Sequence, residues 1–425
     1  MTISAFFVVL LAIPVLLLGE LLVRHVRLLS RFNIPAPVVG GLLVSAFVLA
    51  GHLTGAFAVQ FQNNVTARWW TWLVTAEVDW FKAPSKNVNT PFLVAFFTCI
   101  GLNARWDLVR RGGLQVLVFL AVAGVLAVLQ NGIGAVLAKV LGVSPLLGLV
   151  CGSVTMTGGH GTALGFAADL EKAGLPAAAV VGVAAATFGL VTGGLIGGPV
   201  GGLLIRRHGL KPGAGARTHL EGGSSGESGI LNDLRLLAGF GARFFTHLLL
   251  LLACIKAGAW VSYFIQQTRI TFPVYMGAML LGVGVRNLVD LRSPKRVDSE
   301  IIDTLASVSL GVFLAVAMMS LNLIELANAA LPMLIILSVQ VVVMALYAWF
   351  VTFRLMGRDF DAAVMAGGHC GFGLGATPNA VANMKALVES FGPAPRAFLV
   401  VPVVGAFLID FVNAVNITFF INLLK

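Results

Sequence analysis

The chain has 425 residues, of which 58% are hydrophobic and only 11% charged, with a mean hydropathy of +0.95. Soluble domains average about 25% charged residues, so a soluble globular protein is excluded and a polytopic membrane protein is expected. The formal charge of +10 does not indicate nucleic-acid binding, because the basic residues fall in short clusters between apolar runs, as the positive-inside rule expects.

Taken in order, Ile3–Val23 is long enough to span a bilayer, which needs about 20 apolar residues, and Arg24, Arg27 and Arg31 close it. No basic segment precedes it and no small-residue cleavage signature follows, so a cleaved signal peptide is not expected. Pro35 and Pro37 make a turn before a second span, Val38–Phe57. The polar stretch 60–90 carries Trp69, Trp70, Trp72 and Trp80, residues that prefer the headgroup level, and is expected to include an interfacial helix. A short span, Pro91–Leu102, ends at Asn103, and a long one, Leu114–Leu141, contains Gln130-Asn131. A hairpin is expected at about 145–170, then a Gly-rich span, Leu175–Ile205.

Residues 206–235 are polar and rich in glycine and serine, and read as a flexible linker. Beyond it come Leu236–Gln266, Pro273–Asp290, Ile302–Leu321 and Pro332–Arg354, a second hairpin at about 362–390, and a last span, Arg396–Leu423. The expected fold is therefore all-α and polytopic, with an N-terminal repeat (1–205), the linker and a C-terminal repeat (236–425). Each repeat would hold five spans and one re-entrant hairpin.

Three landmarks recur in the same order in both halves. Pro37-Val38-Val39-Gly40-Gly41 parallels Pro273-Val274-Tyr275-Met276-Gly277, Leu102-Asn103 parallels Leu321-Asn322, and Gly158-Gly159-His160 parallels Gly367-Gly368-His369. Five spans is an odd number, so tandem copies must be inverted relative to each other, which is a transporter architecture. With the N-terminus outside, twenty of the 28 Lys and Arg residues fall on inside segments, which favours periplasmic termini and a cytoplasmic linker.

The chemistry concentrates in the two hairpins. Gly367–Met384 and Thr157–Ala167 are rich in glycine, and glycine costs roughly 1 kcal/mol in a helix interior. Broken backbone is therefore expected in both runs, tolerated at membrane depth only where protein buries it or water reaches it. Oxygen ligands suit Na⁺, and helix N-termini suit an anion. The expected substrate site comprises Ser153, Thr155, Thr157, Gly158, Gly159, His160, Gly161 and Thr162 from the first hairpin. From the second come Gly368, His369, Cys370, Gly371, Gly373, Gly375, Thr377 and Asn379. His160 and His369 either titrate or donate to a carboxylate, or act as a neutral clasp to the opposite hairpin.

Asp410 is the one acid deep in the last span, and an ionisable residue there is a functional candidate by default. Asn413, three residues on, shares its helix face. With Asn103, Asn322 and Asn383 these form the expected cation site. Gln130 and Asn131 are weaker candidates, because amides also serve as interhelical glue. Lys256 is set aside because lysine snorkels. The four cysteines are far apart, and Cys370 beside His369 is too small a set for zinc.

At these residues the chain resembles the bacterial glutamate:sodium symporters. Gly368-His369-Cys370-Gly371-Phe372-Gly373-Leu374-Gly375-Ala376-Thr377-Pro378, continuing to Ala382-Asn383-Met384, is similar to the family's C-terminal pore-loop motif. Gly158-Gly159-His160-Gly161-Thr162 is similar to the N-terminal one, and 185–191, 193–200 and 398–402 also fit. The Trp-rich segment 61–89 is longer than in typical members, and 208–232 matches nothing. The resemblance implies Na⁺-driven uptake of L-glutamate across the bacterial inner membrane by a homodimer with an elevator-like cycle. It implies sodium as the coupling ion and no cofactor.

The residues alone stop at a secondary transporter and leave other readings open. These are a proton- or sodium-coupled carrier of another small carboxylate, such as a 2-hydroxycarboxylate or aspartate, a channel, and a membrane-embedded enzyme. An enzyme is not expected, because no third group completes a triad with the histidines and Cys370. The chain has no Walker sequence, so it is not expected to hydrolyse nucleotide.

Overall fold

The structure is a computed structural model that describes residues 2–27, 29, 34–57, 59–65, 68–213, 230–268, 273–292, 296–320 and 323–424. In chain order the principal helices of the first half are α1 (Ala5–His25), α2 (Ala36–Thr54), α3 (Thr90–Asn103), α4 (Trp106–Val140), α5 (Pro145–Leu149), α6 (Gly159–Lys172) and α7 (Ala178–His208). Then come α8 (Ile230–Gly239), α9 (Ala242–Gln266), α10 (Val274–Arg292), α11 (Ser299–Met319) and α12 (Leu323–Tyr347). The last are α13 (Phe360–Leu374), α14 (Thr377–Phe391), α15 (Pro395–Val403) and α16 (Ile409–Leu424). Among the described residues nine helical segments are long and apolar enough to cross a membrane, and α3, with 14 residues, is shorter. The protein is thus a multi-pass, all-helical membrane protein, apart from two pairs of two-residue strands.

Two differences from the sequence reading concern the middle of the chain. Of residues 206–235, the first three end α7 and the last six open α8, while 214–229 lie outside the described residues. The span expected over Leu236–Gln266 is divided, because Gly241 adopts φ +56° between α8 and α9. A side chain at that backbone angle would be strained, so Gly241 allows the chain to turn there.

The chain forms two compact units that interleave the sequence halves. Unit 1 takes residues 1–30, 34–105 and 226–323, and unit 2 takes 31–33, 106–225 and 324–425. Unit 1 therefore holds α1–α3 of the first half and α8–α11 of the second, and unit 2 holds the rest.

In unit 1, α1 packs on α2 and α11 around Val8, Ala12, Leu16, Ala315, Val316 and Met319. The α1–α2 crossing needs glycine. A Cβ on Gly40 would lie 2.1 Å from the Val15 carbonyl oxygen. Helix α10 packs between α3 and α9, and Tyr275 stacks on Phe97 at 4.0 Å. Buried Arg286 donates to Asp290 at 2.8 Å and to the Leu102 carbonyl at 3.2 Å, so its charge is both paired and hydrogen-bonded. Helix α8 docks through Asp233, which accepts from the Ser307 hydroxyl at 2.7 Å, and through the Ile230 N–H, which donates to Glu20.

The Trp-rich segment is fixed to unit 1 by the lysine that the sequence reading set aside. Lys256 on α9 reaches the main chain of that segment. Its ammonium donates to the carbonyls of Trp72, Thr75 and Glu77, each at 2.8 Å, and sits 3.9 Å from the centroid of the Trp72 ring. Those carbonyls end the short helix Arg68–Trp72 and its following turn, where a cation also meets the helix dipole. Lys256→Met keeps the chain length and removes the charge. It is expected to speed proteolytic cleavage within 73–87 by about tenfold, the equivalent of one charge-assisted hydrogen bond. Limited proteolysis of the purified protein in detergent, with cleavage elsewhere as the control, checks this.

Candidate functional site

Unit 2 contains both Gly-Gly-His runs. The first begins at Ser144, whose hydroxyl accepts from the Leu146 N–H at 3.3 Å and caps α5 at Pro145. A wide turn over Val150–Val154 follows, and Gly152 leaves helical geometry there at φ −98°, ψ −139°. The chain turns through Thr155–Gly158 and re-enters a helix, α6, at Gly159 (φ +63°). The second run is a helix–turn–helix. Asp359 caps α13 by accepting from the Ala362 N–H at 2.9 Å and also binds Arg396 at 2.5 Å. Helix α13 ends at Leu374, Gly375 and Ala376 make the turn, and α14 opens with Thr377-Pro378, where a proline fits without losing a hydrogen bond.

The glycine-rich backbone breaks in fewer places than the sequence suggests. Gly367, Gly368, Gly371 and Gly373 are helical within α13, and the second run breaks only at Gly375–Ala376. Packing is the physical reason. A Cβ on Gly371 would lie 2.4 Å from the Ala380 nitrogen of α14, and one on Gly367 would lie 2.8 Å from the Gly197 carbonyl of α7. These glycines bring α13 against its neighbours, as small residues do between membrane helices. The N-terminus facing the second turn is therefore that of α14, while α13 presents its carbonyl end.

The two turns meet. A Cβ on Gly159 would lie 2.9 Å from the Gly375 carbonyl oxygen. The starts of α6 and α14, each a positive dipole end, thus lie beside the same junction, although at α14 Pro378 has no N–H and the Asn379 and Ala380 N–H groups both bond the Ala376 carbonyl.

Ser153 is the hub of the first run. Its N–H donates to Asn131 Oδ1 at 2.8 Å, its carbonyl accepts from Asn413 at 2.9 Å, and its hydroxyl oxygen accepts from Asn416 at 3.3 Å. Thr155 donates to the Val150 carbonyl at 2.7 Å, and Thr157 donates to Gln130 Oε1 at 2.7 Å. The Nε2 of His160 lies 3.0 Å from Thr187 Oγ1, and that hydroxyl donates to the Val183 carbonyl. With the hydroxyl hydrogen so committed, Nε2 carries the proton and donates to Thr187. Gly158 and Gly159 are part of the turn, and Thr162 is buried one helical step behind it.

In the second run His369 is fully buried, with Nδ1 2.9 Å from Thr352 Oγ1 and the ring against Phe372, Phe119 and Tyr347. Its Nε2 has no partner among the described residues. Neither histidine bonds the opposite run, so the clasp considered from sequence is not made by them. Cys370 is buried with its carbonyl facing α7. Thr377 donates to the Gly405 carbonyl at 2.6 Å, Asn379 to the Leu190 carbonyl at 2.6 Å, and Asn383 to the Gly193 carbonyl at 2.9 Å.

Of the expected cation ligands, Asn383 and Asn413 hold backbone of this unit, and Asp410, half-buried at the start of α16, has no hydrogen bond or ion pair among the described residues. Asn103 belongs to unit 1, where it donates to Asp303 at 2.6 Å. Asn322 lies outside the described residues. The residues that sequence reasoning undervalued are Gln130 and Asn131, and those it missed are Thr187, Thr352 and Asn416. Two adjacent amides inside an apolar span were the available signal for the first pair.

Helices broken inside an apolar body, with their turns brought together, define a multi-pass membrane protein of the kind that handles small polar solutes. The sodium/glutamate symporter family model matches residues 1–76 and 71–393, and the chain belongs to that family. It is 41% identical over 419 residues to the sodium/glutamate symporter of Escherichia coli (strain K12), covering 96% of this chain and 95% of that protein. It is 38% identical over 422 residues to that of Haemophilus influenzae, covering 97% and 96%. Among solved structures, a sodium proton antiporter from Methanocaldococcus jannaschii aligns over 99% of this chain and 98% of its own at TM-score 0.44 and 15% identity, too weak a likeness to carry an argument.

The packing of α7 on α13 gives a paired test. A Cβ on Gly189 would lie 2.1 Å from the Leu374 carbonyl oxygen, whereas one on Gly198 meets nothing within 4 Å. Gly189→Ala is expected to destabilise by about 1–3 kcal/mol through overpacking. Gly198→Ala is expected to be neutral or to stabilise by up to about 1 kcal/mol. Thermal unfolding of both variants in the same detergent checks the difference.

Proposed function

We propose that the chain is a secondary active transporter that couples inward movement of sodium to uptake of glutamate. The observation that carries this reading is the junction of the two turns, with the starts of α6 and α14 beside it. Glutamate carries two carboxylates, and two helix N-termini suit two anionic groups. Membership of the sodium/glutamate symporter family and the names of the relatives support the substrate and the ion. A symporter performs no covalent chemistry, so the protein is read as a non-enzyme.

The finer architecture follows the same reading. The first half contributes α1–α3 and the second α8–α11 to unit 1, and each half gives its remaining helices, including a Gly-Gly-His segment, to unit 2. That division supports two inverted repeats, each with a re-entrant segment, and supports a cycle in which unit 2 carries the substrate. The protein is placed in the inner membrane of a bacterium, as a homodimer, with periplasmic termini and a cytoplasmic linker. The proposed substrate ligands are the two turns with Ser153, Thr155, Thr157, Thr162, His160, His369, Thr377 and Asn379. The proposed cation site takes Asp410, Asn413 and Asn383.

Purified protein in liposomes is expected to accumulate labelled glutamate when a sodium gradient is imposed inward, and not when potassium replaces sodium. Uptake that is indifferent to sodium would refute the coupling. Among the described residues Asp410 has no protein partner to balance a charge, so a bound cation is assigned that role. Asp410→Asn is expected to raise the sodium concentration for half-maximal uptake by about tenfold, one charge-assisted contact's worth. Glutamate exchange at saturating sodium should be partly retained.

A further inference from the structure

We infer that Gln130 is the positioning residue that joins the two turns into one preformed site, and that it fixes Thr157 as a hydrogen-bond acceptor toward whatever occupies that site. This rests on the transport reading of unit 2 and deepens it. Gln130 is fully buried in the apolar stretch of α4. Its side-chain amide spans the two broken segments. Oε1 accepts from the Thr157 hydroxyl at 2.7 Å in the first, and Nε2 donates to the Gly373 carbonyl at 2.7 Å in the second. Its backbone carbonyl accepts from Gln340 Nε2 of α12, also at 2.7 Å. The neighbouring Asn131 holds the Ser153 N–H, so two consecutive residues of one helix fix the first turn at both ends and the second at one.

A carboxamide suits this position because it offers one acceptor and one donor on opposite sides. The Thr157 hydroxyl needs an acceptor, and the Gly373 carbonyl needs a donor. The consequence is chemical as well as structural. The single hydroxyl hydrogen of Thr157 is committed to Gln130, so the oxygen can offer a ligand only its lone pairs. Thr377 is in the same condition, because its hydrogen is committed to the Gly405 carbonyl at 2.6 Å. Both turns therefore present hydroxyl oxygens to a cation or to a substrate ammonium, and cannot donate those hydroxyls to a carboxylate.

The test uses the full-length protein in liposomes with three substitutions. Gln130→Leu removes both bonds and is expected to raise the glutamate KM about tenfold or more, the equivalent of one buried hydrogen bond, with a smaller change in kcat. Thr157→Val removes one of the same bonds from the other side. It should move KM in the same direction, and the double variant should be no worse than Gln130→Leu alone. Gln130→Glu preserves the donor–acceptor pattern only while the new carboxyl is protonated. Its uptake should therefore be near normal at acidic pH and fall relative to wild type as pH rises.

Unchanged KM in Gln130→Leu, or strict additivity with Thr157→Val, would overturn the inference. So would a Gln130→Glu variant that inserts correctly yet is equally impaired at every pH. Failure of the wild-type protein to transport glutamate under the same gradient would instead sink the functional reading, so the two failures are distinguishable. If Gln130→Leu does not insert, the pH profile of Gln130→Glu and the KM of Thr157→Val decide the matter.

Discussion

Backbone that leaves its helix inside an apolar body must find partners for its N–H and C=O groups, because the lipid provides none. The arrangement of unit 2 follows from that constraint. At the first break, Asn131, Asn413 and Asn416 converge on Ser153, and Thr155 returns its hydroxyl to the Val150 carbonyl. At the second, Gln130 reaches Gly373, and Asn379 and Asn383 cover carbonyls of α7. Nearly every buried amide in the unit is spent on main chain rather than on another side chain. Each such bond contributes on the order of 1 kcal/mol between membrane helices, so the set matters more for holding the breaks in one geometry than for raw stability.

Glycine makes that coverage sterically attainable. Asn383 reaches the Gly193 carbonyl because Gly197 leaves room, since a Cβ there would lie 2.0 Å from Asn383 Nδ2. The same economy brings α7 against the end of α13 at Gly189. Much of the glycine in the second Gly-Gly-His run thus serves approach between helices, and the break itself is confined to Gly375–Ala376.

Unit 1 solves a different problem with different groups. Its polar contacts tie helices and segments to one another. Arg286 connects α10 to the end of α3 and to Asp290, Asn287 donates to the Ala104 carbonyl at 2.9 Å, and Lys256 gathers three carbonyls of the Trp-rich segment. Charged groups appear in these roles in unit 1, whereas unit 2 uses amides and hydroxyls around its breaks.

The sequence by itself determined the class, most of the spans and the family. Apolar runs of membrane length, basic clusters between them and the paired Gly-Gly-His runs are local in the chain, and local patterns are what hydropathy and spacing report. The two broken segments were legible for the same reason. Which residues hold the breaks was decided only by tertiary structure. Gln130 lies 243 residues from Gly373, and Asn413 lies 260 from Ser153, so no spacing rule connects them. An amide inside a span reads equally well as glue or as ligand until its partner is known. The glycines posed the same ambiguity, because a missing side chain permits a broken backbone and a close helix crossing alike. Only the position of the neighbouring main chain, as at Gly371 and Ala380, separates the two.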